Sequence, residues 1–230
     1  EFATMESARN NGKLGGLNQL FQRKYAKPLA LALMIAAFNQ LDGINAILYY
    51  SADIFRMAGF NTSDALAHSV WVGVANLVMT IIGMLLIDKI GRKNLLIIGS
   101  ITFVLSHSLA AYVFATEAQG WIVLIALIGV VGSHAYSQGA VVWVVINEIL
   151  PNKIRAIGAS VCIFFLWSLA AIISWLFPII AESSGSLVFG FFGFMMLLQL
   201  FLVYIFLPET KGISLEDLEQ VMLNRTTQRV

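Results

Sequence analysis

Long apolar stretches alternate with short polar connections along this chain. Six of them, 28–50, 67–87, 95–114, 121–146, 156–181 and 187–207, run for 20 to 26 residues each. A membrane-spanning helix needs about 20 mostly apolar residues to cross roughly 30 Å of hydrocarbon. The first stretch carries a single charge, Asp42, and the second and sixth carry no Asp, Glu, Lys or Arg. The pattern predicts an all-α polytopic membrane protein: a six-transmembrane-helix bundle over 28–207, a polar N-terminal segment over 1–27 and a short tail over 208–230.

The flanking segments add detail. Residues 1–27 lack the apolar core and small-residue cleavage site of a signal peptide. Leu14, Leu17, Leu20 and Phe21 fall at helical spacing ahead of Arg23, Lys24 and Lys27, which predicts a short helix lying at the membrane surface. In the tail, Ser214 followed three residues later by Asp217 predicts a capped polar helix over 215–223. Thirteen of the 14 Lys and Arg residues fall on one side of such a bundle, and only Arg56 falls on the other. Basic residues accumulate in cytoplasmic loops. Both termini and the loops at 88–94 and 147–155 are therefore expected in the cytoplasm, with the chain in the cell's inner (plasma) membrane.

Composition removes other classes. The 230 residues are 59% hydrophobic and 12% charged, against about 45–50% apolar and about 25% charged in a soluble domain. A net charge of +1 gives no reason to expect nucleic acid as a partner. The single cysteine, Cys162, excludes an internal disulfide or a cysteine-based zinc site. His68, His107 and His134 have no ligand partners nearby in sequence and read as ordinary polar side chains. No metal and no cofactor is expected. No nucleophile–base pair or phosphate-binding glycine loop points to an enzyme.

The polar groups inside the spans carry the functional signal, because such groups are costly in hydrocarbon and usually face a bundle interior or a wet cavity. The first span contains Asn39, Gln40, Asp42, Gly43, Asn45, Tyr49 and Tyr50. Gly43 weakens the helix locally, and discontinuous helices line the binding sites of membrane transporters. Asn and Gln offer donor and acceptor together, which suits a neutral polyhydroxyl ligand. Interhelical hydrogen bonding is the alternative, and for Asn76, the lone amide of the second span, it is the plainer one. Trp143 and Trp167 fit either a ring stacked on a ligand or an interface anchor. Asp42 is a candidate proton site, with a hydrogen bond across a wet cavity or to a neighbouring helix as the alternative. On the cytoplasmic side three clusters pair acids with bases: Asp88 with Arg92 and Lys93, Glu148 with Arg155, and Glu209 with Lys211. Such a network can bias a rocking equilibrium by forming in one conformation and opening in another.

Four motifs carry a resemblance. They are Gln40-x-x-Gly43-x-Asn45-x-x-x-Tyr49-Tyr50, Gly91-Arg92-Lys93, Glu148-x-x-Pro151-x-x-x-Arg155 and Pro208-Glu209-Thr210-Lys211-Gly212. In this order and at these helix ends, the chain resembles the C-terminal half of a sugar porter of the major facilitator superfamily, over about residues 12 to 220. The segment Ser137-Gln138-Gly139-Ala140-Val141-Val142-Trp143 is most similar to bacterial members. The resemblance implies that the six spans correspond to helices seven to twelve of a twelve-helix transporter. It implies that Asn39, Gln40, Asn45 and Asn76 contact sugar hydroxyls and that Trp143 stacks on the sugar. Tyr49 and Tyr50 match aromatic residues that help close an outer gate. Asp88, Arg92, Lys93, Glu148 and Arg155 match a cytoplasmic charge network, which Glu209 extends. Asn39 stands where a Gln is usual, Asp42 where a small, hydroxylated or apolar residue is usual, and Leu166 where other members carry a polar side chain. The resemblance therefore implies a hexose or pentose without selecting one, by symport or uniport.

Six helices form one wall of such a site. The implied partners are a monosaccharide, the lipid bilayer, and either an N-terminal six-helix half or a second copy of this chain. The function expected is half of a monosaccharide transporter working by alternating access. A non-transporting membrane sugar sensor is the other class, and the 18 residues after Gly212 are short for a signalling tail.

Overall fold

The computed structural model describes residues 17–118 and 120–224. Arg9, Lys13, Leu14, Arg225 and Arg229 lie outside the described residues, and with them most of the expected N-terminal surface helix. One helical turn, Leu17–Leu20, and a 3-10 turn, Arg23–Tyr25, lead into the bundle, with Leu20 buried and Phe21 exposed.

Among the described residues six helices are long and apolar enough to cross a membrane: Arg23–Tyr49, Thr62–Ile90, Arg92–Ala115, Trp121–Ile149, Arg155–Ser183 and Gly185–Phe206. They are called the first to sixth spans below. Local chemistry sets their ends. Asn61 starts the second span, its side-chain oxygen accepting from the amide of Asp64 at 2.9 Å, and Ser184 starts the sixth by accepting from the amide of Leu187 at 3.3 Å. Both satisfy amides left without a partner in a first helical turn. The fourth and sixth spans stop just ahead of Pro151 and Pro208. The tail helix runs Leu215–Asn224, and the Ser214 hydroxyl accepts from the amide of Asp217 at 3.1 Å.

Two spans are not continuous α-helix. The first breaks between Ala26–Leu41 and Ile44–Tyr49, with Gly43 at φ 77° between the two pieces. That left-handed conformation costs a side-chain-bearing residue free energy that glycine escapes. The fourth contains a π-helical turn, His134–Gln138, between Trp121–Ser133 and Gly139–Ile149. Single π turns inside α-helices are found mainly at functional sites.

The interrupted spans are also the interior ones. The most apolar window of the first is 67% buried and that of the fourth 61%, against 17% for the second and 28% for the fifth. The sixth span packs most extensively on the third, the first leans on the fifth, and the fourth lies between the second and the third. The second and fifth spans therefore leave wide apolar surfaces uncovered, with Trp71, Leu77, Phe164 and Trp175 all more than half exposed.

Candidate functional site

The polar side chains of the first span gather on the two sides of the break at Gly43. Asn39 and Gln40 end the first piece and Asn45 begins the second. The three amides are chained: Asn45 Nδ2 donates to Gln40 Oε1 at 2.7 Å, and Gln40 Nε2 donates to Asn39 Oδ1 at 2.9 Å. Together they line a cavity of about 250 Å3. The second span contributes Asn76 and Thr80 to it, the fourth His134, Gly139 and Trp143, and the fifth Leu166 and Trp167. All five sequence candidates for hydroxyl contact or stacking, Asn39, Gln40, Asn45, Asn76 and Trp143, thus share one cavity. Trp167 and Thr80 join them.

The chain of amides leaves hydrogen-bonding capacity unspent. An amide offers two donors and an acceptor with two lone pairs. The Asn39 amide nitrogen and the Asn45 carbonyl oxygen make none of the side-chain bonds within this trio. Beside them the indole of Trp143 is two-fifths exposed. Amides next to an exposed aromatic face match a neutral ligand that has hydroxyls on its edges and C–H groups on its faces.

Asp42 does not join this cavity. Its side chain is fully buried, turned toward the fourth span. Oδ1 accepts from the amide of Ile44 at 2.9 Å, which caps the restarted helix, and Oδ2 lies 2.7 Å from Nδ1 of His134. The backbone carbonyl of Asp42 lies 3.1 Å from Nε2 of His107. Of the alternatives open for Asp42, the hydrogen bond to a neighbouring helix is the one present. The reading of the histidines as ordinary polar side chains is corrected. His134 and His107 both hold the break in the first span, and His68 packs among the rings of Phe55, Phe60 and Trp121. Sequence reasoning missed the pair because its members are 92 positions apart. The available signal was that ionisable groups within spans tend to pair with one another.

The fourth span is pinned at its π turn. Ser137 donates back to the carbonyl of Ser133 at 2.5 Å, and the hydroxyls of Tyr136 and Thr102 are 2.6 Å apart. Gln138 donates to Gln199 Oε1 at 2.6 Å and to the carbonyl of Phe38 at 3.3 Å, joining the fourth, sixth and first spans. At the far end of the first span Tyr49 is two-thirds exposed, and Tyr50 stacks on Phe177 at 5.7 Å between ring centres.

The opposite end of the bundle carries the charges. The Arg92 guanidinium bridges Asp88 at 3.0 Å and Glu148 at 3.2 Å, and Glu148 accepts from the Thr210 hydroxyl at 2.5 Å. Glu209 accepts instead from the amides of Arg92, Lys93, Thr210 and Lys211 at 2.9 to 3.2 Å. It caps the third span where the helix dipole favours a carboxylate. Gly91, at φ 96°, leaves room for it, since a Cβ there would lie 2.8 Å from the Glu209 carboxyl carbon. Lys93 Nζ donates to the carbonyl of Tyr204 at 2.9 Å and Arg155 Nε to that of Leu150 at 3.1 Å. Among the described residues, then, Asp88, Arg92 and Glu148 share ion pairs, whereas Lys93, Arg155 and Glu209 bond backbone.

The family described as "Sugar (and other) transporter" matches residues 1–222. The chain is 36% identical over 225 residues to the arabinose-proton symporter of Bacillus subtilis (strain 168), covering 97% of this chain and 48% of that protein. It is 33% identical over 198 residues to the D-xylose-proton symporter of Escherichia coli (strain K12), covering 83% of this chain and 40% of that protein. Its fold superposes with a TM-score of 0.81 and 31% identity on a structure of the proton:xylose symporter XylE bound to 6-bromo-6-deoxy-D-glucose, over 94% of this chain and 46% of that one. The chain spans about half the length of the relatives it matches.

Proposed function

The chain belongs to the sugar transporter family, and from that premise we propose that it is the C-terminal six-helix half, helices seven to twelve, of a bacterial monosaccharide transporter. Its all-helical, six-span architecture is half of a major facilitator fold. The observation that carries the reading is the convergence of Asn39, Gln40, Asn45, Asn76 and Trp143 on one cavity.

The mechanism follows from that geometry. The sugar lies against the break in the first span, where unspent amide groups of Asn39, Gln40 and Asn45 bond its hydroxyls, Asn76 adds a contact from the second span and Trp143 stacks on its C–H face. A second six-helix half supplies the opposite wall, and the two halves rock about the site. Half-exposed apolar surfaces on the second and fifth spans, which flank the cavity, support such a partner. Tyr49 and Tyr50 close the outer side of the cavity. The cluster of Asp88, Arg92, Lys93, Glu148, Arg155 and Glu209 ties the other end together in the outward-open state and loosens as the halves rock inward. The concentration of basic residues at that end supports an inner-membrane orientation with both termini in the cytoplasm. The proton-coupled relatives, one an arabinose and one a xylose symporter, support a pentose as substrate and the solved neighbour bound to a glucose derivative supports a hexose; the burial of Asp42 against His134 within the spans supports it as a proton site.

Uptake of labelled L-arabinose and D-xylose into vesicles tests the proposal, using the chain together with an N-terminal six-helix half and the chain alone. Uptake only in the combined vesicles, lost in Gln40→Ala, is expected. Uptake by the chain alone would replace this reading with a homodimer, and unaltered uptake in Gln40→Ala would remove the site assignment.

A further inference from the structure

Asp42 and His134 meet inside the bundle, and only one of them reaches the cavity. The Asp42 side chain has no exposure, whereas His134 keeps 14% of its own and lines the cavity beside Gly139. Gly139 leaves the imidazole its place, because a Cβ there would lie 3.2 Å from Cδ2 of the ring and 3.3 Å from Nε2. Nδ1 is engaged with Asp42, and among the described residues Nε2 has no protein hydrogen-bond partner and is not one of the buried unpartnered atoms.

We infer that Asp42 and His134 form one proton-binding site that is loaded from the sugar cavity through Nε2 of His134. A carboxylate oxygen and a ring nitrogen approach to 2.7 Å only with a proton between them, so the pair in this arrangement holds one. A second proton has few places to go. Oδ1 of Asp42 already accepts from the amide of Ile44 and is sealed from water. Nε2 presents a lone pair to the cavity. Loading therefore converts a pair with net charge −1 into a neutral carboxylate–imidazolium pair, and it turns Nε2 from an acceptor into a donor toward whatever fills the cavity. The proton comes from cavity water and binds that lone pair directly.

The surroundings allow this pair to act as one site. Among the described residues the packed elements bring one further titratable group to it, His107 of the third span, whose Nε2 lies 3.1 Å from the carbonyl of Asp42 and whose Nδ1 is buried without a partner. The second and fifth spans face the cavity with Asn76, Thr80, Leu166 and Trp167, and the sixth packs Phe192 against the Gly43 break. None of these titrates, and no Lys or Arg is placed to neutralise the carboxylate. The link to sugar rests on the function proposed above. A sugar in this cavity covers Nε2 and removes it from water, and an uncompensated charge under a dehydrated cover is costly. Sugar binding and loading of the pair then favour each other, and binding energy becomes coupled to a proton.

Nitrogen-15 NMR of the histidine-labelled chain, combined with an unlabelled N-terminal six-helix half in nanodiscs, reads the tautomer and charge of each ring, with His134→Gln identifying the His134 signals. The expected result is a His134 ring protonated on Nδ1 alone at high pH that gains a proton on Nε2 as the pH is lowered. In Asp42→Asn the single tautomer should give way to a mixture. A His134 ring that keeps its charge on acidification until the protein unfolds, or an unchanged tautomer in Asp42→Asn, would overturn the inference. Should Asp42→Asn fail to fold, the parent decides alone: saturating L-arabinose or D-xylose is expected to shift the His134 titration, and binding without any shift overturns the placement of the port in the cavity. Titration and tautomer as expected with neither sugar bound would leave the proton site standing and count against the sugar reading.

Discussion

Asn39 and Asp42 stand three positions apart in the first span and face different surroundings. Asn39 belongs to a chain of amides on the wall of an open cavity. Asp42 lies in the closed interior, with each of its oxygens engaged. Both precede Gly43, and Asp42 keeps helical φ and ψ, so the two side chains start from neighbouring positions of one helix end. Their partners give them separate roles: Asn39 bonds Gln40 beside the cavity, and Asp42 bonds His134 of the fourth span. On the cavity side hydrogen-bonding groups are left free, at some cost in stability, for a ligand to complete. On the interior side they are satisfied, and they hold the break in place.

The sharpest way to break this comparison is to remove the interior carboxylate. Asp42→Ala leaves Nδ1 of His134 beside a void without its partner and should destabilise the fold by about 3–5 kcal/mol, seen as a lowered thermal midpoint in detergent by tryptophan fluorescence. The paired change Asp42→Val with His134→Phe should cost clearly less than Asp42→Ala, which a double-mutant cycle measures. Next comes the joint itself. Gly43→Ala forces a side chain into the left-handed region and into the ring of Phe192. It should cost about 2–4 kcal/mol by the same unfolding measurement, and a near-neutral effect would mean that the break tolerates other conformations. The cavity side should behave in the opposite way. Gln40→Ala is expected to weaken binding of L-arabinose or D-xylose about tenfold, close to 1.4 kcal/mol, while changing stability by no more than about 1 kcal/mol. Parallel losses of binding and stability would collapse the distinction between the two sides. The smallest effect belongs to the exposed pair of Arg56 and Asp53 beyond the end of the first span. Asp53→Asn should alter the thermal midpoint by the equivalent of less than about 0.5 kcal/mol.

Much of this was legible in the chain because hydrocarbon is an exacting solvent. Each backbone polar group in a bilayer has to be satisfied within its own segment, so a run of about 20 apolar residues is already a helix with known ends. The amides at 39, 40 and 45 and the glycine between them stood out for the same reason. The terminal helix was readable from Ser214 and Asp217, since a cap is local chemistry. The charge cluster was readable in composition and less so in pairing. Arg92 joins Asp88 and Glu148, but Glu209 turns to four backbone amides and Arg155 to a carbonyl. Which acid meets which base depends on how helix ends approach one another, and spacing along the chain carries no record of that.

The sequence by itself determined the number of spans, their approximate limits, the weak point at Gly43 and the inventory of polar groups that hydrocarbon would penalise. Periodicity, length and local capping are properties of short segments, so they are written in short segments. Only the tertiary structure decided that Asp42 turns away from the cavity, that His134 meets it from 92 positions away and that a π turn aims that ring. Those outcomes come from packing the first span against the fourth, fifth and sixth, with His107 of the third reaching its break. There a buried carboxylate must find a partner wherever the fold presents one, because no water remains to solvate it.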